Sequence, residues 1–302
     1  MLNENDIKSV KSQGFLQNRG TDNFSARVIT ENGVLTADEM AVICEASKLF
    51  GNGCVSFTGR MTVEVPGIPF DKIPAFREYI GKIGLETGGT GPKVRPIVAC
   101  KGTTCVFGLY DTQKMAEDIH KRFYKGYRTV TLPHKFKIAC GGCPNNCVKP
   151  DINDLGIVGQ RVPSFDRSAC RSCGKCVVAE KCPMKAISRE DGIPVIDSDV
   201  CNNCGRCIGK CHFGAFSEAE TVYRIYLGGR WGKLCMRGIP LPKLYTYAEV
   251  LDVVEKAILL YKRDGIQGER FADTVKRIGI DRVAEVFDTS ELIDSKETIL
   301  NK

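Results

Sequence analysis

The chain has 302 residues, of which 43% are hydrophobic, and its formal net charge is +7. This length suffices for about two domains, and the apolar content excludes a disordered chain. No uncharged stretch approaches the roughly 18 residues of a membrane-spanning helix, so no membrane insertion is expected. The first residues are polar and contain no apolar signal segment, so we expect a cytoplasmic protein.

Strand and helix signals are mixed along the chain, which predicts an α+β protein. Capping-box sequences at Thr36 and Thr246 each predict the start of a helix. A third helix is expected over residues 112–123, where apolar side chains recur every four residues. Short strands are expected at 26–30, 55–58, 62–65, 97–99, 129–132 and 223–227.

Sixteen cysteines are far more than a structural core needs. In a secreted chain they would suggest disulfides, but for a cytoplasmic chain bound metal is the better explanation. Cys44, Cys54 and Cys235 stand apart from any motif and are predicted to be buried small hydrophobic residues.

Residues 164–217 contain an internal repeat, CRSCGKC at 170–176 and CNNCGRC at 201–207, and each run is followed by a further cysteine. Such runs resemble a bacterial ferredoxin with two [4Fe–4S] clusters, in which the fourth cysteine of each run binds the other cluster. The resemblance implies one set of Cys170, Cys173, Cys176 and Cys211, and another of Cys201, Cys204, Cys207 and Cys182. Structural zinc is the alternative, although it usually takes pairs of cysteines.

A second set, Cys100, Cys105, Cys143 and Cys147, could on its own form a third, isolated cluster. The sequence segments around these cysteines indicate a larger cofactor site. The segments TGR (58–60), GPKVR (91–95), LPHKFKIACGGCPNNC (132–147) and YLGGRWG (226–232) resemble the sirohaem-dependent nitrite and sulfite reductases. Within that family, the cysteine repeat and the tail GERFADTVKRIG (268–279) are most similar to one subunit of the anaerobic sulfite reductases, which carries such a repeat.

The resemblance implies a third [4Fe–4S] cluster on this second set, with Cys147 also bridging to the iron of a sirohaem. The catalytic, substrate-binding cations would be Arg60, Arg95, Lys135 and Lys137. Lys135 and Lys137 alternate and would share one face of a strand. Further cofactor-binding residues would be Thr58, Gly91, Asn145, Gly229 and Arg230, together with Arg60. Cys140 lies outside the ligand pattern and is predicted not to bind the cluster.

The family resemblance also predicts the domain organisation. Residues 1–88 would form a ferredoxin-like half-domain, and residues 89–163 and 218–302 would form the sirohaem and [4Fe–4S] catalytic domain. Residues 164–217 would be an inserted two-cluster ferredoxin domain. Three clusters would contribute a charge of roughly −6, so the positive net charge needs no nucleic-acid partner.

The implied function is the six-electron reduction of sulfite to sulfide, with electrons entering through the ferredoxin domain. No G-x-G-x-x-G sequence follows a predicted strand, so the expected donors are a flavin- and NAD(P)H-dependent subunit and an iron–sulfur subunit. Two alternatives remain. One is a sirohaem nitrite reductase that forms ammonia. The other is an iron–sulfur electron carrier without sirohaem.

Overall fold

We analysed a computed structural model that describes residues 2–217 and 219–301. The helices are α1 Glu4–Ser12, α2 Ala37–Phe50, α3 Ile73–Gly81, α4 Thr112–Ile119, α5 Val177–Glu180, α6 Tyr247–Asp264, α7 Phe271–Ile278, α8 Ile280–Phe287, α9 Glu291–Asp294 and α10 Lys296–Leu300. The strands are β1 Phe15–Gln17, β2 Asn23–Val28, β3 Ser56–Phe57, β4 Val63–Pro69, β5 Val98–Ala99, β6 Ile138–Gly141, β7 Leu155–Gln160, β8 Ser164–Phe165, β9 Ile187–Glu190, β10 Ile193–Ile196, β11 Phe216–Ser217, β12 Val222–Leu227 and β13 Ile239–Pro240.

The N-terminal part is a four-stranded antiparallel sheet in the order β1-β2-β4-β3. Alternate residues of β2 are buried, as expected for a strand with one face on a core. Helices α2 and α3 contribute Ile43 and Phe76 to that core, where they join Phe15 and Phe24. The capping box at Thr36 is present, since its side chain accepts from the Glu39 backbone N–H.

The second sheet has five strands in the order β13-β12-β7-β6-β5. Strands β5, β6 and β7 are parallel, whereas β12 runs antiparallel to β7. Helix α6, which begins at the predicted capping box of Thr246, contributes Val254 and Ile258 to the same core. The helix predicted over 112–123 is also present, as α4 followed by a π-helical turn over His120–Lys125. Because the parallel strands end at one edge, the loops after β5 and β6 lie side by side.

Residues 164–217 form a small unit. Strands β8 and β11 pair at its two ends, and β9 and β10 form a hairpin within it. It has its own minor core of Val178, Ile187, Ala215 and Phe216. Glu218, where the catalytic domain was predicted to resume, lies outside the described residues.

Two expectations are wrong. Residues 129–132 form a turn and irregular backbone, because Leu132 makes only an isolated hydrogen bond, from its N–H to Pro92 O at 2.8 Å. Apolar β-branched residues favour a strand, but a strand also needs a partner to pair with. Cys54 and Cys235 are exposed, not buried, since they lie in loops, and Cys44 is half-buried. In the described part of the chain, no helix is long and apolar enough to cross a membrane.

Candidate functional site

Four cationic side chains predicted from the sequence come together between the two sheets. Arg60 lies in the turn after β3, Arg95 before β5, and Lys135 and Lys137 before β6. Phe136 is fully buried and bridges to Val94, so the two lysines on either side of it point away from the core. Burial, helped by the nearby charges of Arg60 and Lys135, lowers the pKa of Lys137 to about 8. The four cations therefore share one site.

Arg60 is held by acceptors from the other half of the molecule. Its Nη1 donates to Asn153 Oδ1 at 2.8 Å, and its Nη2 donates to Ile138 O at 3.0 Å. Its Nε donates to Pro96 O at 3.2 Å. Thr58 shapes the turn, because its Oγ1 accepts from the Arg60 backbone N–H at 3.2 Å. Burial lowers the pKa of Arg60 to about 10, so the group remains charged at neutral pH.

One guanidinium nitrogen of Arg95 has no acceptor among the described residues. Its backbone N–H donates to Phe136 O at 2.8 Å, and its Nη1 donates to Gly89 O. Its buried Nε has no hydrogen-bond partner among the described residues. Burial lowers the pKa of Arg95 to about 10. A buried, charged N–H without an acceptor fits a site that receives an anionic group.

The structure adds two residues that sequence reasoning missed, Asp154 and Arg270. The Asp154 carboxylate is fully buried, and Arg270 Nη2 lies 3.0 and 3.1 Å from its two oxygens. Burial raises the pKa of Asp154, whereas Arg270 opposes that rise. The only sequence signals were a charged residue directly before a fully buried strand and an arginine in the GERF tail.

Cations outnumber carboxylates at this site. Arg270 and Arg95 both lower the pKa of Lys135, after burial as the largest cause. Asp154 is the one carboxylate that acts on all of Arg60, Arg95, Lys135 and Lys137 among the described residues. Such an excess of positive charge in a partly buried site favours an anionic ligand.

The four cysteines predicted to hold the third cluster, Cys100, Cys105, Cys143 and Cys147, lie in the loops that follow β5 and β6. Burial raises the pKa of Cys143, and the thiols of Cys100, Cys147 and Cys105 raise it further, which places the four together. The backbone N–H of Gly142 donates to Cys100 Sγ at 3.1 Å. A Cβ at Gly142 would lie 3.3 Å from that sulfur and 3.0 Å from Gly102 Cα, so a side chain there would crowd the loop.

Cys140 differs from these four thiols. It lies within β6, is fully buried, and belongs to the core of the second sheet. Burial raises the pKa of this thiol well above its ordinary value. Its surroundings are those of a core residue.

The remaining thiols form two groups within residues 164–217. Burial, with further contributions from Cys201, Cys204 and Cys182, raises the pKa of Cys207 to about 11. A cavity of about 50 Å³ is lined by Cys170, Cys173, Cys176 and Cys211. In both groups the fourth cysteine comes from the other run.

No three Cys, His, Asp or Glu side chains in residues 2–217 and 219–301 are arranged around a single metal ion.

The other predicted cofactor residues have varied surroundings. Gly91 has a φ of +78° and open space where a Cβ would lie. Asn145 is exposed and adjoins Cys143. Gly229 packs tightly on backbone, since a Cβ would lie 2.4 Å from Asn153 O. Arg230 pairs with Asp273 at 3.0 Å and is close enough to lower the pKa of Lys135.

Two family models match the chain. The nitrite/sulfite reductase ferredoxin-like half domain matches residues 16–83, and the nitrite and sulphite reductase 4Fe-4S domain matches residues 90–293. The coenzyme F420-dependent sulfite reductase of Methanocaldococcus jannaschii is 34% identical over 237 residues, which cover 78% of this chain and 37% of that protein. One of the subunits of the anaerobic sulfite reductase of Salmonella typhimurium is 30% identical over 176 residues, 53% of this chain and 50% of that protein.

The chain thus spans between about a third and a half of the length of these two relatives. Among solved structures, dissimilatory sulfite reductase I superposes with a TM-score of 0.70 at 24% identity, covering 88% of this chain and 69% of that one. This likeness shows the fold. The matches confirm the family predicted from the cysteine motifs and their neighbours, with its ferredoxin-like half and its 4Fe-4S domain.

Proposed function

We propose that this chain, which belongs to the nitrite and sulphite reductase family, is the catalytic subunit of an anaerobic sulfite reductase. Members of the family are oxidoreductases, and the Methanocaldococcus and Salmonella relatives are both sulfite reductases. The proposed reaction takes sulfite to sulfide with six electrons and seven protons and releases three water molecules. The observation that carries the proposal is the convergence of Arg60, Arg95, Lys135 and Lys137 at the start of β5 and β6, the two strands whose following loops bear Cys100, Cys105, Cys143 and Cys147.

The residues present fit sirohaem joined to a [4Fe–4S] cluster. Cys100, Cys105, Cys143 and Cys147 supply four thiols, and the Gly142 N–H donates to one of the sulfurs. Sirohaem with its cluster, when bound, would supply the electrons and the metal centre for the reduction of sulfite, and Cys147 is among the residues that would hold them. The buried Nε atoms of Arg95 and Arg270 have no acceptors within the described residues, so they suit the carboxylates of the macrocycle or the oxygens of the substrate.

Arginine and lysine have separate tasks in the proposed site. Arg95 has a guanidinium Nε that suits an oxyanion oxygen, whereas the Arg60 guanidinium donates to Asn153, Pro96 and Ile138 and contributes a fixed positive charge. Both are anchored by backbone carbonyls, so little reorganisation is needed when charge develops on the substrate. Fixed cations in a partly dry site stabilise that charge better than water does.

Lys137 would supply protons. Each departing oxygen leaves as water, so the reaction consumes protons at the same place as electrons. With a pKa of about 8, the Lys137 ammonium is mostly protonated at neutral pH and yields its proton more readily than an ordinary lysine. Arg60 and Arg95 hold their protons and serve as fixed charges.

Residues 164–217 would hold two further [4Fe–4S] clusters and receive electrons. The grouping of Cys182 with Cys201, Cys204 and Cys207, and the cavity lined by the other four thiols, support this assignment. The proposed donors are a subunit that oxidises NAD(P)H through a flavin and an iron–sulfur subunit. In the F420-dependent relative, the matched region is only 37% of the polypeptide, so it is accompanied there by further sequence.

Nitrite is the alternative substrate, because the matching family models cover both anions. The test is anaerobic oxidation of reduced viologen by the purified protein with either anion. We expect a higher kcat/KM for sulfite and six electrons consumed per sulfide formed. A higher value for nitrite would reassign the substrate. Turnover of neither anion by protein with intact clusters would leave an electron carrier, and NADH oxidation by the isolated chain would contradict an external donor.

A further inference from the structure

Residues 153–155 organise the cations of the candidate site. Asn153 accepts from Arg60, Asp154 accepts from Arg270, and Leu155 donates its backbone N–H to Lys137 O at 3.0 Å. We propose that Asp154, with Arg270, is a positioning pair that holds Lys137 in place and sets the charge around it. The inference rests on the proposed function for what Lys137 does in turnover, but its position and charge are testable apart from turnover.

The backbone of Lys137 is held from both sides. Its N–H donates to Asp154 Oδ2 at 2.9 Å, and its carbonyl accepts from Leu155. Lys137 stands one residue before β6 and Asp154 one residue before β7, where the parallel ladder begins with Ile138 opposite Leu155. The carboxylate therefore takes the place of the strand acceptor that the ladder lacks at this position. It fixes the point from which the Lys137 side chain leaves the backbone.

The Asp154–Arg270 pair is buried. The Asp154 side chain has no exposure and that of Arg270 is 9% exposed. A carboxylate taken out of water needs a charged partner and several donors. Asp154 has the Arg270 guanidinium and the Lys137 N–H, so its hydrogen bonds are made inside the protein. A residue that served only to fill space would not need this arrangement.

Most of the charged groups around Lys137 are positive. The groups that face Lys137 are Arg60, Asp154, Lys135 and Arg270, and Asp154 alone of these is negative. It raises the pKa of the Lys137 ammonium, whereas burial and the three cations lower that pKa. Removing only the negative charge should leave Lys137 easier to deprotonate. If the substitution instead loosened the site, Lys137 would become exposed and its pKa would rise towards that of an ordinary lysine.

The two outcomes would move the pKa of Lys137 in opposite directions, so the experiment follows that pKa. Purified holoprotein is treated with an amine-reactive acylating reagent across a range of pH, and the labelling of Lys137 is followed by mass spectrometry. For Asp154→Asn, which preserves shape, we expect the midpoint to move to lower pH and labelling at neutral pH to be about threefold faster or more. A midpoint that moves up would mean that Asp154 only supports the fold. An unmoved midpoint would mean that the two groups are uncoupled, and either result overturns the proposal.

The matched control is Glu255→Gln. Glu255 is also a buried carboxylate in the second half of the molecule, and it pairs with Lys296 and Arg122 away from this site. Its loss should lower stability but leave the labelling midpoint of Lys137 unchanged. A midpoint shift in Glu255→Gln equal to that in Asp154→Asn would make the effect general and overturn the proposal.

A second measurement needs no variant. In the wild-type protein, amide hydrogen exchange should show the Lys137 N–H protected, because it donates to a buried carboxylate. Exchange as fast as that of an exposed amide would overturn the proposal even if Asp154→Asn does not fold. A turnover assay distinguishes failure of the positioning pair from failure of the proposed function. If labelling shifts but the wild type does not reduce sulfite, the positioning pair stands and the proposed function fails.

Discussion

Arg60 Nη1 and Asn153 Oδ1 lie 2.8 Å apart, although the two residues are separated by 93 positions in the chain. The bond joins the turn after β3 to the segment before β7, so a side chain from the N-terminal sheet completes a site built on the second sheet. Two backbone carbonyls of that second half, Pro96 and Ile138, accept from the same guanidinium. Arg60 therefore has a structural and an electrostatic role.

Arg60→Lys should separate these roles. A single ammonium cannot reach Asn153 Oδ1, Pro96 O and Ile138 O at once, so the free energy of unfolding should fall by about 2 kcal/mol. Sulfite kcat/KM should fall by at least about tenfold, because the hydrogen bonds that fix the positive charge at this position are lost. Urea denaturation and steady-state kinetics provide the measurements. Equal stability and turnover in wild type and variant would remove Arg60 from the site.

Lys137→Ala should retain its cofactors and lose most sulfite turnover. Removing one preorganised cation from an oxyanion site costs about a hundredfold in kcat. Lys276→Ala is the control, because Lys276 is an exposed lysine on α7. Unchanged turnover in Lys137→Ala would exclude Lys137 from catalysis. Equal losses in both variants would show that the effect is not local.

The pH dependence of turnover should reflect Lys137. Burial lowers the pKa of its ammonium to about 8, so the protonated form predominates below that pH and is lost as the pH rises through it. Sulfite kcat/KM should therefore fall on the alkaline side with a midpoint near this value. In Lys137→Arg, whose side chain stays charged, that limb should move to higher pH. The comparison isolates the enzyme group, since ionisation of sulfite itself is common to both proteins. A limb at the same position in both would contradict the assignment.

Gly142→Ala should weaken the catalytic cluster. The added methyl group would lie 3.3 Å from Cys100 Sγ and 3.0 Å from Gly102 Cα, and the N–H bond to the sulfur would be disturbed. Iron content should fall while the two clusters proposed for residues 164–217 remain. Gly81→Ala is the matched control, because nothing lies within 4 Å of a Cβ there. Full iron content in Gly142→Ala would show that the loop tolerates a side chain.

Cys140 and Cys143 offer a direct comparison of two thiols three residues apart. Cys143→Ala should lose a ligand and about four irons. Cys140→Ala should keep all its iron and lose only packing, because Cys140 is enclosed in the core beside β7. Iron assay on anaerobically purified proteins decides between them. Loss of iron from Cys140→Ala would make Cys140 a ligand.

Local signals carried much of the sequence-based prediction. The capping boxes at Thr36 and Thr246 form because their hydrogen bonds span only three residues. The cysteine runs were informative for a similar reason, since a cluster needs its ligands at short, regular spacing. The cations Arg60 and Arg95 were found only because their segments resemble a known family, as a single arginine carries no such signal.

Other features depended on residues far apart in the chain. Asp154 and Arg270 are 116 residues apart, and neither belongs to a motif from which the other could be inferred. Residues 129–132 have the composition of a strand, but pairing requires a neighbour that only the tertiary fold provides. The exposure of Cys54 and Cys235 likewise follows from their positions in loops and not from their side chains.

The proposed function depends on sirohaem bound beside a [4Fe–4S] cluster. The decisive measurement is acid–acetone extraction with an absorption spectrum and an iron assay on anaerobically purified protein from a host that makes sirohaem. We expect close to one sirohaem and about thirteen irons per chain, as three cubane clusters and one haem iron would give. About twelve irons without a tetrapyrrole would contradict it and leave an iron–sulfur electron carrier.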